Sequence, residues 1–188
     1  MAKLFFSYSH KDEDLRNELE THLVLLKRQG VISSWHDRRI TAGGDIDKTI
    51  SSELESSQII LLLVSAHFLA SDYCYEKEMT RAIEKHSDGS AVVIPVILHP
   101  CDWHSAPFGH LRATPTDGKP VSMFANQHEA FAIVAKDVRE AAKTIPATVS
   151  KININTTCNI SRQKARMRLS PGFQNGLGIV ILVFEVFE

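Results

Sequence analysis

Six consecutive aliphatic residues, Ile59 to Val64, do most to limit what this chain can fold into. A strand with one wet face alternates apolar and polar side chains; a strand covered on both faces does not. This run does not alternate, so it predicts a central strand buried between two layers. A second apolar run, Ala91 to Leu98, has the same character. Pro95 lies inside it, and a residue without a backbone N–H belongs at a sheet edge or an irregular end.

The segments between these runs read as helices. Leu15, Leu19, Leu23 and Leu26 recur at three- and four-residue spacing and predict a helix over 11–29, stopped by Gly30. Ile46, Ile50 and Leu54 mark a second helix over 46–57, and residues 74–87 a third. Asn126 as cap and Glu129 three residues on open a fourth, whose stripe is Phe131, Val134, Val138, Ala141 and Ile145. Residues 3–7 and 31–35 complete the set as short strands. Strands alternating with helices mean a parallel sheet with right-handed crossovers and helices on both faces. The expectation is an α/β fold with five strands in a flavodoxin-like arrangement.

Residues 99–125 read as irregular and hold four prolines; residues 147–188 differ from everything before them. Residues 1–150 carry 16 Lys and Arg against 20 Asp and Glu, whereas the last 38 residues carry five against two. We therefore divide the chain into a domain over 1–146 and a linker or tail over 147–188. The overall net charge of −1 gives no field for nucleic acid, and the basic run Arg162–Arg168 is too short to claim it. Three cysteines without repeated spacing suit a reducing compartment. No apolar run is long enough to span a bilayer, and no signal peptide is recognisable. The expected location is cytoplasmic, which makes the sequons at Asn155 and Asn159 irrelevant.

The segment Ser71 to Met79 follows the central strand and opens a helix with acidic residues. In open α/β sheets, ligands bind outside the carboxyl ends of the strands. Glu78 and Glu76 are therefore candidates for chemistry, or plain helix-start acids opposing the dipole. In an α-helix, Glu78 lies one turn after Cys74 on the same face. Gly43 and Gly44 lack the surrounding pattern of a phosphate loop and read as a flexible turn. His99, Cys101, Asp102 and His104 are the one sequence cluster with metal-ligand chemistry; their spacing matches no standard zinc site, and no metal is expected.

Several segments, in order, carry a family resemblance. Phe5-Phe6-Ser7-Tyr8-Ser9-His10-Lys11-Asp12 resembles the first box of Toll/interleukin-1 receptor (TIR) domains. Trp35 to Asp45 resembles their second box, the BB loop. Ser56 to Ser65 and Val93 to Val96 resemble the third and fourth strands, and Ser71 to Met79 resembles the segment that carries the catalytic glutamate in NAD-cleaving members. Asp102-Trp103-His104 and Pro107-Phe108 resemble stand-alone prokaryotic members. The resemblance covers residues 1 to about 146.

The resemblance implies a TIR fold and an NAD+ glycohydrolase that releases nicotinamide and forms ADP-ribose or a cyclic isomer, in antiphage defence or virulence signalling. NAD is then a substrate, and no cofactor is implied. Glu78 takes the catalytic position, with Glu76 as its rival. Tyr8, Ser9 and His10 take the place of a nucleotide-contacting loop, or are simple strand-end turn residues. Trp35 and Asp37 fall where the family contacts adenosine and packs subunits; Trp35 reads equally well as core. The resemblance assigns Ser71, Tyr73 and Cys74 to binding beside the catalytic position, while Cys74 also reads as a partly buried helix cysteine. Many NAD-cleaving members have Trp where Cys74 stands, so Tyr73 is the candidate for stacking. Self-association through the 37–45 loop is also implied. The alternative is a TIR module that binds other TIR domains without catalysis.

Overall fold

The computed structural model describes residues 1–35, 46–72 and 77–145. Four parallel strands form one sheet: β1 (Ala2–Ser7), β2 (Ile32–Trp35), β3 (Ile59–Val64) and β4 (Val92–Ile97). Their order is β2-β1-β3-β4. The chain steps outward from β1 to β2, then returns across β1 to lay down β3 and β4. The order reverses between β1 and β3, and such a switch point opens a crevice at the carboxyl ends of the strands.

All six residues of β3 have 0 % exposure, as the unbroken aliphatic run requires. Its side chains divide by parity. Ile59, Leu61 and Leu63 join Leu4, Phe6, Ile94 and Val96 in one core layer; Ile60, Leu62 and Val64 join Phe5, Val93 and Ile97 in the other. The first layer is closed by α1 (Glu13–His22), α2 (Val24–Arg28) and α6 (Gln127–Thr144), through Leu19, Leu23, Leu26, Phe131, Val134 and Val138. The second is closed from α3 (Ile46–Ser56), α4 (Ala66–Leu69) and α5 (Thr80–Ser87), through Leu54, Phe68 and Ala82.

The single helix expected over 11–29 is three pieces. A 3-10 turn covers His10–Asp12, and α1 ends where the Leu23 amide is shared between the carbonyls of Leu19 and Glu20, both at 3.1 Å. The apolar stripe continues through the break, because Leu19, Leu23 and Leu26 are all buried. Gly30 does stop the helix. At φ 68° its amide donates to Lys27 O and the next amide, Val31, to Leu26 O, both at 3.0 Å. This is a Schellman closure, and glycine accepts its left-handed backbone at least cost.

Five strands were expected, and the described residues form four. Outside β4 there is an isolated bridge: Thr114 N–H donates to Pro95 O, and Ile97 N–H donates to Thr114 O, each at 2.9 Å. Pro115 follows immediately and has no N–H to extend the ladder. Pro95 itself lies on β4, the strand at that edge of the sheet, as its missing donor predicts. Segment 99–125 is otherwise irregular, with 3-10 turns at Thr116–Gly118 and Val121–Met123. Asn126 caps α6 through its side chain, accepting from His128 N–H at 3.0 Å. The tail expected over 147–188 lies outside the described residues, as do the 37–45 loop and residues 73–76.

Candidate functional site

The carboxyl ends of β1 and β3 are tied together by side chains. Ser65 follows β3 and Asp12 closes the turn after β1. The Ser65 hydroxyl donates to Asp12 Oδ2 at 2.5 Å and accepts from Phe68 N–H at 3.1 Å, which caps α4. Both residues are buried. The switch point therefore has a fixed floor.

Tyr8, Ser9 and His10 leave this floor at the end of β1. The Tyr8 and His10 rings meet edge to face, with centroids 5.9 Å apart. Ser9 caps the 3-10 turn; its hydroxyl accepts from Lys11 N–H at 3.4 Å. Under Tyr8 lies Arg16, at 1 % exposure among the most buried side chains in the chain. Its guanidinium carbon is 5.3 Å from the Phe6 ring centre and 5.4 Å from that of Tyr8. Nη1 donates to Glu20 Oε2 at 3.0 Å and Asn17 Oδ1 at 2.7 Å. A planar cation between two aromatic faces orients both rings. Sequence reasoning assigned no role to Arg16, Asp12 or Ser65. The available signal was the pairing of Phe6 and Tyr8, two residues apart and so on one face of β1.

Glu78 occupies a different wall. Residues Lys77–Met79 form a π-helical turn that leads into α5, and Glu78 is 7 % exposed. Over Lys77–Met79 the regular α-helical turn expected for residues 74–87 is replaced by a wider π turn. The same-face expectation for Cys74 and Glu78 falls on residues outside the described ones, which include Tyr73, Cys74 and Glu76. π turns inside helices recur at functional sites, and a carboxyl group this buried is costly unless paired.

Glu78 lines a pocket of about 90 Å³ between α3 and α5, with Ile50, Ser51, Leu54, Glu55, Lys77 and Arg81. Tyr8, Ser9 and His10 are not among its described lining residues. The rim is held by charge. Arg81 forks onto Glu55, with Nη2 donating to Oε2 at 2.9 Å, and reaches Glu84 at 2.7 Å. The Arg81 hydrogen bond holds the Glu55 carboxyl below its ordinary value. Buried Lys85 donates to the Glu55 carbonyl, and burial lowers its ammonium pKa. These contacts tie α5 to the end of α3 and so set the position of the pocket wall that carries Glu78.

Of the remaining sequence candidates, Ser71 is half-buried after α4, with its amide donating to Phe68 O at 3.2 Å. Trp35 ends β2 in register with Phe5. Asp37 lies outside the described residues. Cys101 is a free thiol whose pKa is raised by burial and then by Asp102 and Asp12, so it is a poor nucleophile. His99, Cys101, Asp102 and His104 do not converge as metal ligands among the described residues. No helix among them is long and apolar enough to cross a membrane.

Residues 4–151 match the family model described as TIR domain. The protein y4lF of Sinorhizobium fredii, itself uncharacterized, is 59 % identical over 150 residues, which are 80 % of this chain and 46 % of y4lF. The chain thus spans less than half the length of this curated relative. A solved structure, the TIR domain of the Toll-related receptor TRR-2 from Hydra magnipapillata, is similar with a TM-score of 0.46 and 21 % identity, over 60 % of this chain and 82 % of that one. With a parallel sheet ordered β2-β1-β3-β4, helices on both faces and a family match over residues 4–151, this chain belongs to the TIR-domain family.

Proposed function

We propose that this TIR domain is an NAD+ glycohydrolase with Glu78 as its catalytic carboxylate. The observation that carries this reading is a glutamate at 7 % exposure, on a π turn, lining a pocket in the segment that resembles the catalytic stretch of NAD-cleaving members. The chemistry asks little else. The nicotinamide–ribose bond is activated by its pyridinium nitrogen, and the ring leaves as a neutral base, so no acid is needed. The electron pair of the breaking bond stays on nicotinamide, and positive charge grows on the ribose. A carboxylate opposes that charge and accepts hydrogen bonds from the ribose hydroxyls. Water attack gives ADP-ribose and a proton; attack by a base nitrogen of the same molecule gives a cyclic isomer.

In this reading Tyr8, Ser9, His10, Trp35 and Asp37 serve the nucleotide side, and Ser71, Tyr73 and Cys74 flank the ring. The described pocket, about 90 Å³, suits the ring end rather than a whole dinucleotide, since sites for drug-sized ligands take roughly 300–1,000 Å³. The rest of the site would come from the 37–45 loop of a neighbouring copy, a head-to-tail contact that propagates. A cytoplasmic setting, where NAD is available, and a role in bacterial antiphage defence or virulence signalling go with this reading.

The same small volume favours a second reading, a TIR module that associates with other TIR domains without turnover. Nicotinamide release from NAD by the purified chain, at high protein concentration and with a crowding agent, separates the two. The enzyme reading expects release that Glu78→Gln lowers at least about 100-fold, while Glu76→Gln retains most of it. No release by the wild-type chain under these conditions sinks it.

A further inference from the structure

Two histidines 106 residues apart in sequence meet where α1 ends and α6 begins. His22 Nε2 and His128 Nδ1 are 3.1 Å apart. Glu18, one helical turn before His22, reaches both: its Oε1 lies 3.7 Å from His22 Nε2 and 3.2 Å from His128 Nδ1. Three atoms from two helices therefore form a small triangle. Glu18, His22 and His128 are also the one group of three or more His, Cys, Asp or Glu side chains with converging ligand atoms among the described residues.

The size of that triangle is informative. Tetrahedral zinc with bonds of about 2.0–2.1 Å to nitrogen and oxygen places neighbouring ligand atoms about 3.3 Å apart. The three observed separations bracket this value. Two imidazoles and one carboxylate, with the fourth position open, are also a ligand set that zinc uses. The protein holds two of the three ligands by other means. His22 is largely covered and its ring lies 5.6 Å from that of fully buried Phe131. His128 is more exposed, but its backbone N–H is fixed by the Asn126 cap.

We infer that Glu18, His22 and His128 form a divalent metal site of zinc type that joins α1 to α6. Glu18 and His128 are partly exposed, so an ion has access from solvent. The inference is independent of NAD cleavage, since the ligands sit on the α1–α6 layer and Glu78 on the α3–α5 layer.

The full chain, stripped with EDTA and dialysed, is titrated with Zn2+ against a chromophoric chelator and, separately, with Co2+ followed by visible absorption. One Zn2+ per chain, intense cobalt bands of four-coordinate type, and a rise in the unfolding midpoint of about 5 °C at saturating Zn2+ are expected. His128→Ala, His22→Gln and Glu18→Gln should each weaken Zn2+ binding more than about tenfold. His128→Ala removes an exposed side chain, so without metal its unfolding midpoint should equal that of the wild type. The inference is overturned if the chain binds no Zn2+, or if binding survives all three substitutions unchanged.

Discussion

Ser65 and Asp12, one after β3 and one after β1, share a buried hydrogen bond of 2.5 Å at the switch point of the sheet. The serine hydroxyl is used twice, as donor to Asp12 and as acceptor from Phe68 N–H at the start of α4. Ser65→Ala removes a helix cap and leaves a buried carboxyl without its donor. The expected loss is about 2–4 kcal/mol, read from urea unfolding. Asp12→Asn keeps an acceptor and should cost less than Asp12→Ala. Combining Ser65→Ala with Asp12→Ala should cost clearly less than the two separate losses added together.

Gly118 packs against Trp103. Its φ is 90°, and a β-carbon there would lie 2.6 Å from Trp103 Cζ2. Gly118→Ala therefore meets both backbone strain and an aromatic ring that is itself buried and stacked on His104 at 3.8 Å. A loss of about 2 kcal/mol or more is expected, with a shift in tryptophan emission toward the solvent-exposed range.

The Arg81–Glu55 pair should show itself at acid pH. The Glu55 carboxyl is depressed in the folded protein, first by its hydrogen bond to Arg81, from an ordinary value of 4.5. Its contribution is then fully present above 4.5 and is lost as pH falls through the lower folded value. Both side chains are more than two-fifths exposed, so solvent screens the pair and the effect is small. The urea midpoint of the wild type should exceed that of Glu55→Gln at about pH 7, and the difference should shrink at about pH 3. An unchanged difference would mean that the pair adds nothing to stability.

Asn126 links helix stability to the inferred metal site. Asn126→Ala removes the acceptor for His128 N–H at the start of α6. It should destabilise the protein by about 1 kcal/mol in EDTA. Zn2+ affinity should fall too, but by less than with His128→Ala, since the ligand remains and only its tether is lost.

Much of the fold was legible along the chain. The aliphatic runs of β3 and β4 announced strands covered on both faces, and Gly30 and Asn126 marked helix ends that the backbone bonds confirm. The site was less so. Glu78 was visible as an acidic residue beyond a strand, yet its π turn was not, because helical periodicity assumes the regular turn it was used to test. Asp12 and Arg16 drew no role from the sequence, and both are buried.

What the sequence determined by itself is local: which segments are strands, which are helices, and that the sheet is parallel and double-sided. These follow from the period of apolar residues and from capping chemistry, which act over a few residues. Only the tertiary structure decided the rest. Among the described residues it formed four strands with an isolated bridge at Thr114 beside β4, bonded Ser65 to Asp12 across 53 residues, and brought His22 to His128 across 106. Those outcomes depend on how the crossovers stack α1 against α6 and β1 against β3. That arrangement is fixed by the packing of two core layers, and no short window of sequence contains it.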